Sequence, residues 1–250
     1  MRGNVDTLYA VKVVDRKRLK THTKKLLEQE ISILHEIRAP NVVSLMHVTQ
    51  TKSNYYLVME YCNGGDLESF IKARGGHLSE PEAKVLLLQV VQGLLDIKEL
   101  DVMHRDLKLA NILIHFPSLT KEEQLKPDFD LKEFIRSIEI VPGRAKQCTP
   151  IEVKIADLGF ARKLHDGDVA RSYLGTPLIM APEVLDGCAY DHSADVWSLG
   201  CVFYETLTGF PAFTGMNKAD LIENITRGTY YFPKTCKLSI AGLSFLHACL

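Results

Sequence analysis

The six cysteines of this 250-residue chain, Cys62, Cys148, Cys188, Cys201, Cys236 and Cys249, show no C-x-x-C spacing. That absence argues against a disulfide framework or a zinc site and for reduced thiols in a cytosolic or nuclear setting. A long apolar run is also missing: nowhere do ~18 apolar residues follow one another, so no membrane-spanning helix is expected. The charged first residues carry no apolar signal region. Nor is there an excess of charge of either sign. A formal net charge of −1 leaves no general electrostatic footprint for nucleic acid or an anionic membrane. Together these absences predict a cytoplasmic chain that works without nucleic acid and without membrane insertion.

What is present is an ordinary globular composition, 46% hydrophobic and 24% charged, enough to bury one large domain or two packed lobes. The most informative stretch is His104-Arg105-Asp106-Leu107-Lys108-Leu109-Ala110-Asn111, which runs into the apolar strand Ile112-Leu113-Ile114. An acid, an ammonium group and a carboxamide at this spacing form a compact polar constellation. Asp106 can accept a proton, Lys108 can sit against phosphate oxygens, and Asn111 can ligate a hard cation such as Mg²⁺.

Residues 8–14 are β-branched and largely apolar, which predicts a strand with Lys12 in its middle. In the helix that follows, Leu26, Leu27, Ile31, Ile33, Leu34 and Ile37 share one arc at 100° per residue. Glu30 lies within that arc. A carboxylate aimed at an apolar side costs several kcal/mol unless it finds a partner, and Lys12 is the candidate. A second strand is expected to begin within 40–45 and a third to occupy 54–61, ending in the turn Cys62-Asn63-Gly64-Gly65-Asp66. Ser79-Glu80-Pro81-Glu82 reads as a capping box opening a buried helix that leads to His104.

The segment 115–152 is rich in Lys, Glu and Pro, and Leu131, Phe134, Ile135 and Ile138 recur within it at helical spacing. It is either a tolerated surface insertion, since loop closure costs grow slowly with length, or a docking element. Helices are also expected over 217–227 and from 243 onward.

The ordered set Ala10-Val11-Lys12, Glu30, H-R-D-x-K-x-x-N, Asp157-Leu158-Gly159, Ala181-Pro182-Glu183 and Asp195-Val196-Trp197-Ser198-x-Gly200 resembles the eukaryotic protein-kinase family of Ser/Thr type. Within it, Lys154-Ile155-Ala156-Asp157, Met180-Ala181-Pro182-Glu183 and the long insertion are similar to the autophagy-initiating (ULK-type) kinases. The resemblance implies an α+β, two-lobed fold, with an incomplete β-rich lobe over 1–62 and a larger helical lobe over 63–250. It also implies γ-phosphoryl transfer from ATP to protein serine or threonine, with ATP and Mg²⁺ as cofactors and protein substrates as partners.

Residue by residue, the likeness casts Asp106 as catalytic base, Lys108 as neutralising cation, and Lys12 with Glu30 as the grip on the α/β-phosphates. Asn111 and Asp157 would hold Mg²⁺. Ala10, Met59, Glu60, Cys62, Asp66 and Leu113 would surround the nucleotide, with Met59 as gatekeeper and Asp66 facing the ribose. His104 and Asp195 would be structural. Ser172 is the expected phosphosite, Arg105 its free cationic partner, and Thr176 the group bonded to Asp106 and Lys108. Glu183 is expected to lack its usual arginine partner, which would lie beyond Leu250, just as the family's final helices would.

Two departures keep an alternative open. Two flanking strands and a G-x-G-x-x-G loop need about 16 residues, whereas eleven precede Lys12, with Gly3 their only glycine. Leu158 also stands where the family has phenylalanine, a smaller apolar filler that eases the inactive state. The chain is therefore expected to be either a kinase truncated at both ends or a pseudokinase, an interaction module without turnover, with the 115–152 insertion open to a regulatory partner.

Overall fold

The computed structural model describes residues 7–141, 150–163, 176–234 and 236–250. The chain opens with strand β1 (Tyr9–Asp15) and helix α1 (Thr21–Glu36), followed by β2 (Leu45–Gln50) and β3 (Asn54–Glu60). These strands form an antiparallel sheet in the order β1-β3-β2, with Lys12 opposite Leu57 and Ala10 opposite Met59. Among the described residues β1 is an edge strand, and Val11 and Val13 on it are 51% and 56% exposed. The second strand begins at Leu45, the last position of the expected window, and residues 40–44 lie outside it. That earlier stretch instead runs beside the strand leading to Asp157: Val43 N donates to Ile155 O at 2.9 Å and Ile155 N to Asn41 O at 2.8 Å. Its backbone groups are satisfied there, so they are not free to extend the sheet.

The larger lobe continues through α2 (Leu67–Ala73), α3 (Glu80–Lys98), β4 (Val102–Met103) and β5 (Ile112–His115). The expected capping box is formed at α3, where Ser79 and Glu82 satisfy each other's backbone amides. Then come α4 (Lys121–Gln124), α5 (Leu131–Ser137), β6 (Glu152–Ile155) and β7 (Arg162–Lys163). The lobe ends with α6 (Pro182–Leu185), α7 (Ser193–Thr208), α8 (Lys218–Thr226) and α9 (Ile240–Cys249). β5 pairs antiparallel with β6, which places Ile112 opposite Ile155, and β4 pairs with β7.

The main apolar core gathers Phe70, Leu86, Met103, Leu107, Ile112, Ile114 and Phe116 around the buried face of α7. Each such side chain contributes about 1.5–3 kcal/mol relative to exposure. A second cluster joins α1 and the sheet, through Leu27, Ile33, Leu34 and Leu57, to Ile97, Val102 and Leu158 from the other lobe. Leu158 therefore fills an apolar slot under α1, as its residue type suggested.

The described residues of the insertion are not a loose surface loop. Ile135, Ile140 and Ile151 are buried in the main core, and Phe134 meets Phe116 edge-on with ring centroids 5.1 Å apart. Arg136 Nε donates to Ala73 O at 3.0 Å, and Arg74 of the loop after α2 donates to Ile135 O at 3.0 Å and Ile138 O at 2.8 Å. Helix α5 lies within the span the periodicity marked, and its apolar side is what anchors it.

Candidate active site

Lys12 and Glu30 meet. The side chains come from an edge strand and from the buried side of α1, and Lys12 Nζ lies 2.7 Å from Glu30 Oε1. Glu30 is 5% exposed, as its place within the apolar arc required. The same ammonium lies 3.4 Å from Asp157 Oδ1. Burial opposes the charge on Lys12, but the Glu30 carboxylate and then Asp157 more than offset it, and the amine is held above its ordinary value.

Asp106 is the most enclosed of these groups, at 1% exposed. Its Oδ2 accepts from Lys108 Nζ at 2.7 Å and Asn111 Nδ2 at 3.1 Å. Its Oδ1 accepts from Thr176 N at 3.0 Å and Thr176 Oγ1 at 2.8 Å. Lys108 also donates to Thr176 Oγ1 at 3.0 Å. A threonine hydroxyl thus already sits between the carboxylate and the ammonium, in the pair of contacts that a substrate hydroxyl would need.

The loop that carries Asp106 is braced from below. Asp195, at the start of α7, accepts from His104 N at 2.8 Å and Arg105 N at 2.9 Å. His104 Nε2 lies 3.0 Å from Ala156 O while Asp106 N donates to His104 Nδ1 at 3.3 Å, a pattern that puts the imidazole proton on Nε2. The backbone bends sharply at two functional positions, with φ of 67° at Arg105 and 60° at Asp157, both in the left-handed region.

A cavity of about 380 Å³ opens between the lobes and is lined by Ala10, Lys12, Glu30, Met59, Glu60, Leu113 and Asp157, among others. Six of the expected nucleotide-side positions (Ala10, Lys12, Met59, Glu60, Leu113 and Asp157) therefore face one space. Cys62 and Asp66 are not among the lining residues. Asp66 Oδ1 caps α2, accepting from Ser69 N at 2.7 Å. The Cys62 thiol is pushed up to about 12 by burial and by the Glu60 carboxylate, so it is unreactive at neutral pH.

Asn111 and Asp157 suit Mg²⁺ in donor type. Asn111 Nδ2 is engaged by Asp106 O and Oδ2, which leaves its carboxamide oxygen for a cation. Ala156 N donates to Asn111 O at 2.8 Å, linking the backbones that carry the two donors. Mg²⁺ is commonly held by one or two such groups together with substrate phosphates. Among the described residues no cluster of three or more His, Cys, Asp or Glu side chains could hold a metal without that help.

Arg105 departs from expectation. Its Nε donates to Phe160 O at 2.5 Å, so the guanidinium is engaged within the protein and not free. Glu183 has Ser193 Oγ at 3.5 Å. Ser172 lies outside the described residues. One buried cation had no expected partner: Lys154 Nζ lies 2.6 Å from Glu60 Oε1 and 3.0 Å from Pro40 O, on a strand that also leads to Asp157. The signal that singles out Lys12, a lone lysine in an apolar strand, is present there too.

The protein kinase domain profile matches residues 2–250. The chain is 36% identical over 220 residues to Serine/threonine-protein kinase ATG1a of Arabidopsis thaliana, covering 88% of this chain and 30% of that protein. It is 36% identical over 216 residues to Serine/threonine-protein kinase ULK1 of Homo sapiens, covering 86% and 18% respectively. With Serine/threonine-protein kinase unc-51 of Caenorhabditis elegans it shares 35% identity over 219 residues, covering 86% and 23%. The chain spans less than a third of the length of these relatives.

Proposed function

This chain belongs to the protein kinase family, and on that footing we propose that it transfers the γ-phosphoryl group of ATP to serine or threonine hydroxyls of protein substrates, in the cytoplasm and in the initiation of autophagy. The observation that carries this is that Lys12, bonded to Glu30 and Asp157, lines one cavity, while Asn111, bonded to Asp106, is tied to the Asp157 segment of that cavity through Ala156 N. The names of its relatives support the Ser/Thr class.

When bound, Mg-ATP supplies the transferable phosphoryl group and the metal charge that screens it. The chain's own residues do the rest. Lys12, held by Glu30, orients the α/β-phosphates, and Asn111 and Asp157 offer oxygens to the metal. Asp106 accepts the hydroxyl proton, help that is typically worth 10²–10⁴-fold. Lys108 stabilises negative charge as it develops. Asp66 keeps an oxygen for the ribose, and Glu60 and Cys62 present backbone groups to adenine. The outward face of the insertion, with Glu122, Lys126 and Asp128 exposed, is the surface for a regulatory partner.

Asp157→Asn tests the reading. Turnover of Mg-ATP on a protein substrate should vanish while the fold persists by circular dichroism, and substantial residual turnover removes Asp157 from the metal role. Ser172 is the proposed phosphosite. In the same assay Ser172→Ala should no longer respond to an activating kinase, and an unchanged response discards it. The alternative, an interaction module without turnover, rests on Leu158 standing where the family has phenylalanine. A wild-type chain that fails to bind Mg-ATP in a thermal-shift titration would favour it.

A further inference from the structure

Asn63 follows Cys62 directly, and its side chain is buried at 7% exposure. Three hydrogen bonds run from it to the first turn of the insertion. Nδ2 donates to Phe116 O at 3.0 Å and to Leu119 O at 3.2 Å, and Oδ1 accepts from Phe116 N at 2.7 Å. The pairing continues along the backbone, with Gly64 N donating to Ile114 O at 2.9 Å and Ile114 N to Gly65 O at 2.8 Å. The approach is close enough that a Cβ on Gly64 would lie 2.7 Å from the Phe116 ring and 2.8 Å from Ile114. Phe116 in turn carries Phe134 of α5 edge-on, and α5 is pinned to the α2 end by Arg74 and Arg136. An unbroken set of contacts therefore connects the insertion helix to the segment between the lobes.

That segment has a mechanical difficulty. An adenine ring would be read there by the backbone groups of Glu60 and Cys62, whose positions must be fixed to within a fraction of an ångström. Yet the next residues are Gly64 and Gly65, the latter at φ 74°, and glycines give the chain the greatest conformational freedom. An Asn side chain whose donor and acceptor atoms are all engaged removes that freedom, because any hinge movement would strand buried polar groups.

We propose that Asn63 is a positioning residue for the nucleotide site and that the part of the insertion from Phe116 to Ile138 is the buttress against which it holds the hinge. This rests on the reading that the interlobe cavity takes a nucleotide. Asn63 is not among the residues lining that cavity; it acts through the backbone of Cys62 and Glu60. The insertion is on this view part of the nucleotide-binding apparatus.

The test compares wild type with Asn63→Ala and Phe134→Ala, by amide hydrogen exchange and by calorimetric titration with ADP at a temperature well below melting. In Asn63→Ala the amides of residues 60–65 should exchange faster while those of α7 stay protected. A hinge competent only a tenth of the time raises the apparent ADP dissociation constant about tenfold. Phe134→Ala, remote from the cavity, should move both readouts the same way by less, and it carries the test should Asn63→Ala not fold. A folded variant that binds ADP like wild type overturns the positioning role even if its melting temperature falls. Unchanged hinge exchange overturns the buttress. Failure of the nucleotide reading looks different: wild type itself then takes no ADP, which removes the positioning role, while the exchange data still decide the mechanical coupling.

Discussion

Asp106 and Lys12 belong to one candidate site, yet they are held in different ways. Asp106 is buried, accepts from four donors, and rides on a loop whose amides are fixed by Asp195. Lys12 has a 37% exposed side chain on a strand that is an edge among the described residues, and its two carboxylate contacts come from separate elements. The loop that carries Asp106 is preorganised by the core, whereas the contacts of Lys12 depend on how α1, β1 and the Asp157 segment are set against one another. Displacing any one of those three elements parts Lys12 from at least one of its two carboxylates.

The sharpest way to break this contrast is Asp195→Ala. It strands the buried amides of His104 and Arg105 and should cost about 3 kcal/mol in urea denaturation, with a matching loss of turnover. Glu30→Gln should cost less than about 1 kcal/mol, because its partner is partly solvated, while raising the KM for ATP several-fold. Equal destabilisation by the two variants would abolish the distinction.

The pH dependence sharpens it further. The Lys12 amine is held above its ordinary value despite burial, by Glu30 and then Asp157, so its stabilising contribution is full below the unfolded-state value and is lost as pH rises through the folded one. The difference in melting temperature between wild type and Lys12→Met should therefore stay level from neutral pH upward and shrink only above about pH 10.4. A difference that changes near neutrality would assign the coupling to another group. The smallest effect expected is chemical: near pH 8, iodoacetamide should label exposed Cys188 well before Cys62, whose thiol is raised to about 12. Prompt labelling of Cys62 would mean that the hinge opens readily.

The reach of the sequence follows the same division. Lys12 and Glu30 are legible because each violates a local apolar pattern, and Asp106 and Asn111 because their spacing is itself a chemical statement, whereas Asp157 is read only from the family likeness. The Thr176 and Asp195 contacts follow from the family likeness. The engagement of Arg105 by Phe160 O is hidden, since a backbone carbonyl 55 residues away leaves no mark on composition. Asn63 is harder still. Beside two glycines it reads as turn chemistry, and its partners are main-chain atoms 53 and 56 residues further on. The docking of the insertion is hard to read for a related reason. Its polar residues dominate the count, while the few apolar ones that dock it, Phe134 and Ile135, are distinguishable only by period.

The left-handed backbone at Arg105 and Asp157 determines which mutants can be interpreted at all. A β-branched replacement at either position must first distort the main chain, so a dead Val or Thr variant says nothing about charge or metal. Asparagine visits that region readily and matches aspartate in shape. At residue 157 it is the substitution that removes one negative charge and leaves the geometry as the control.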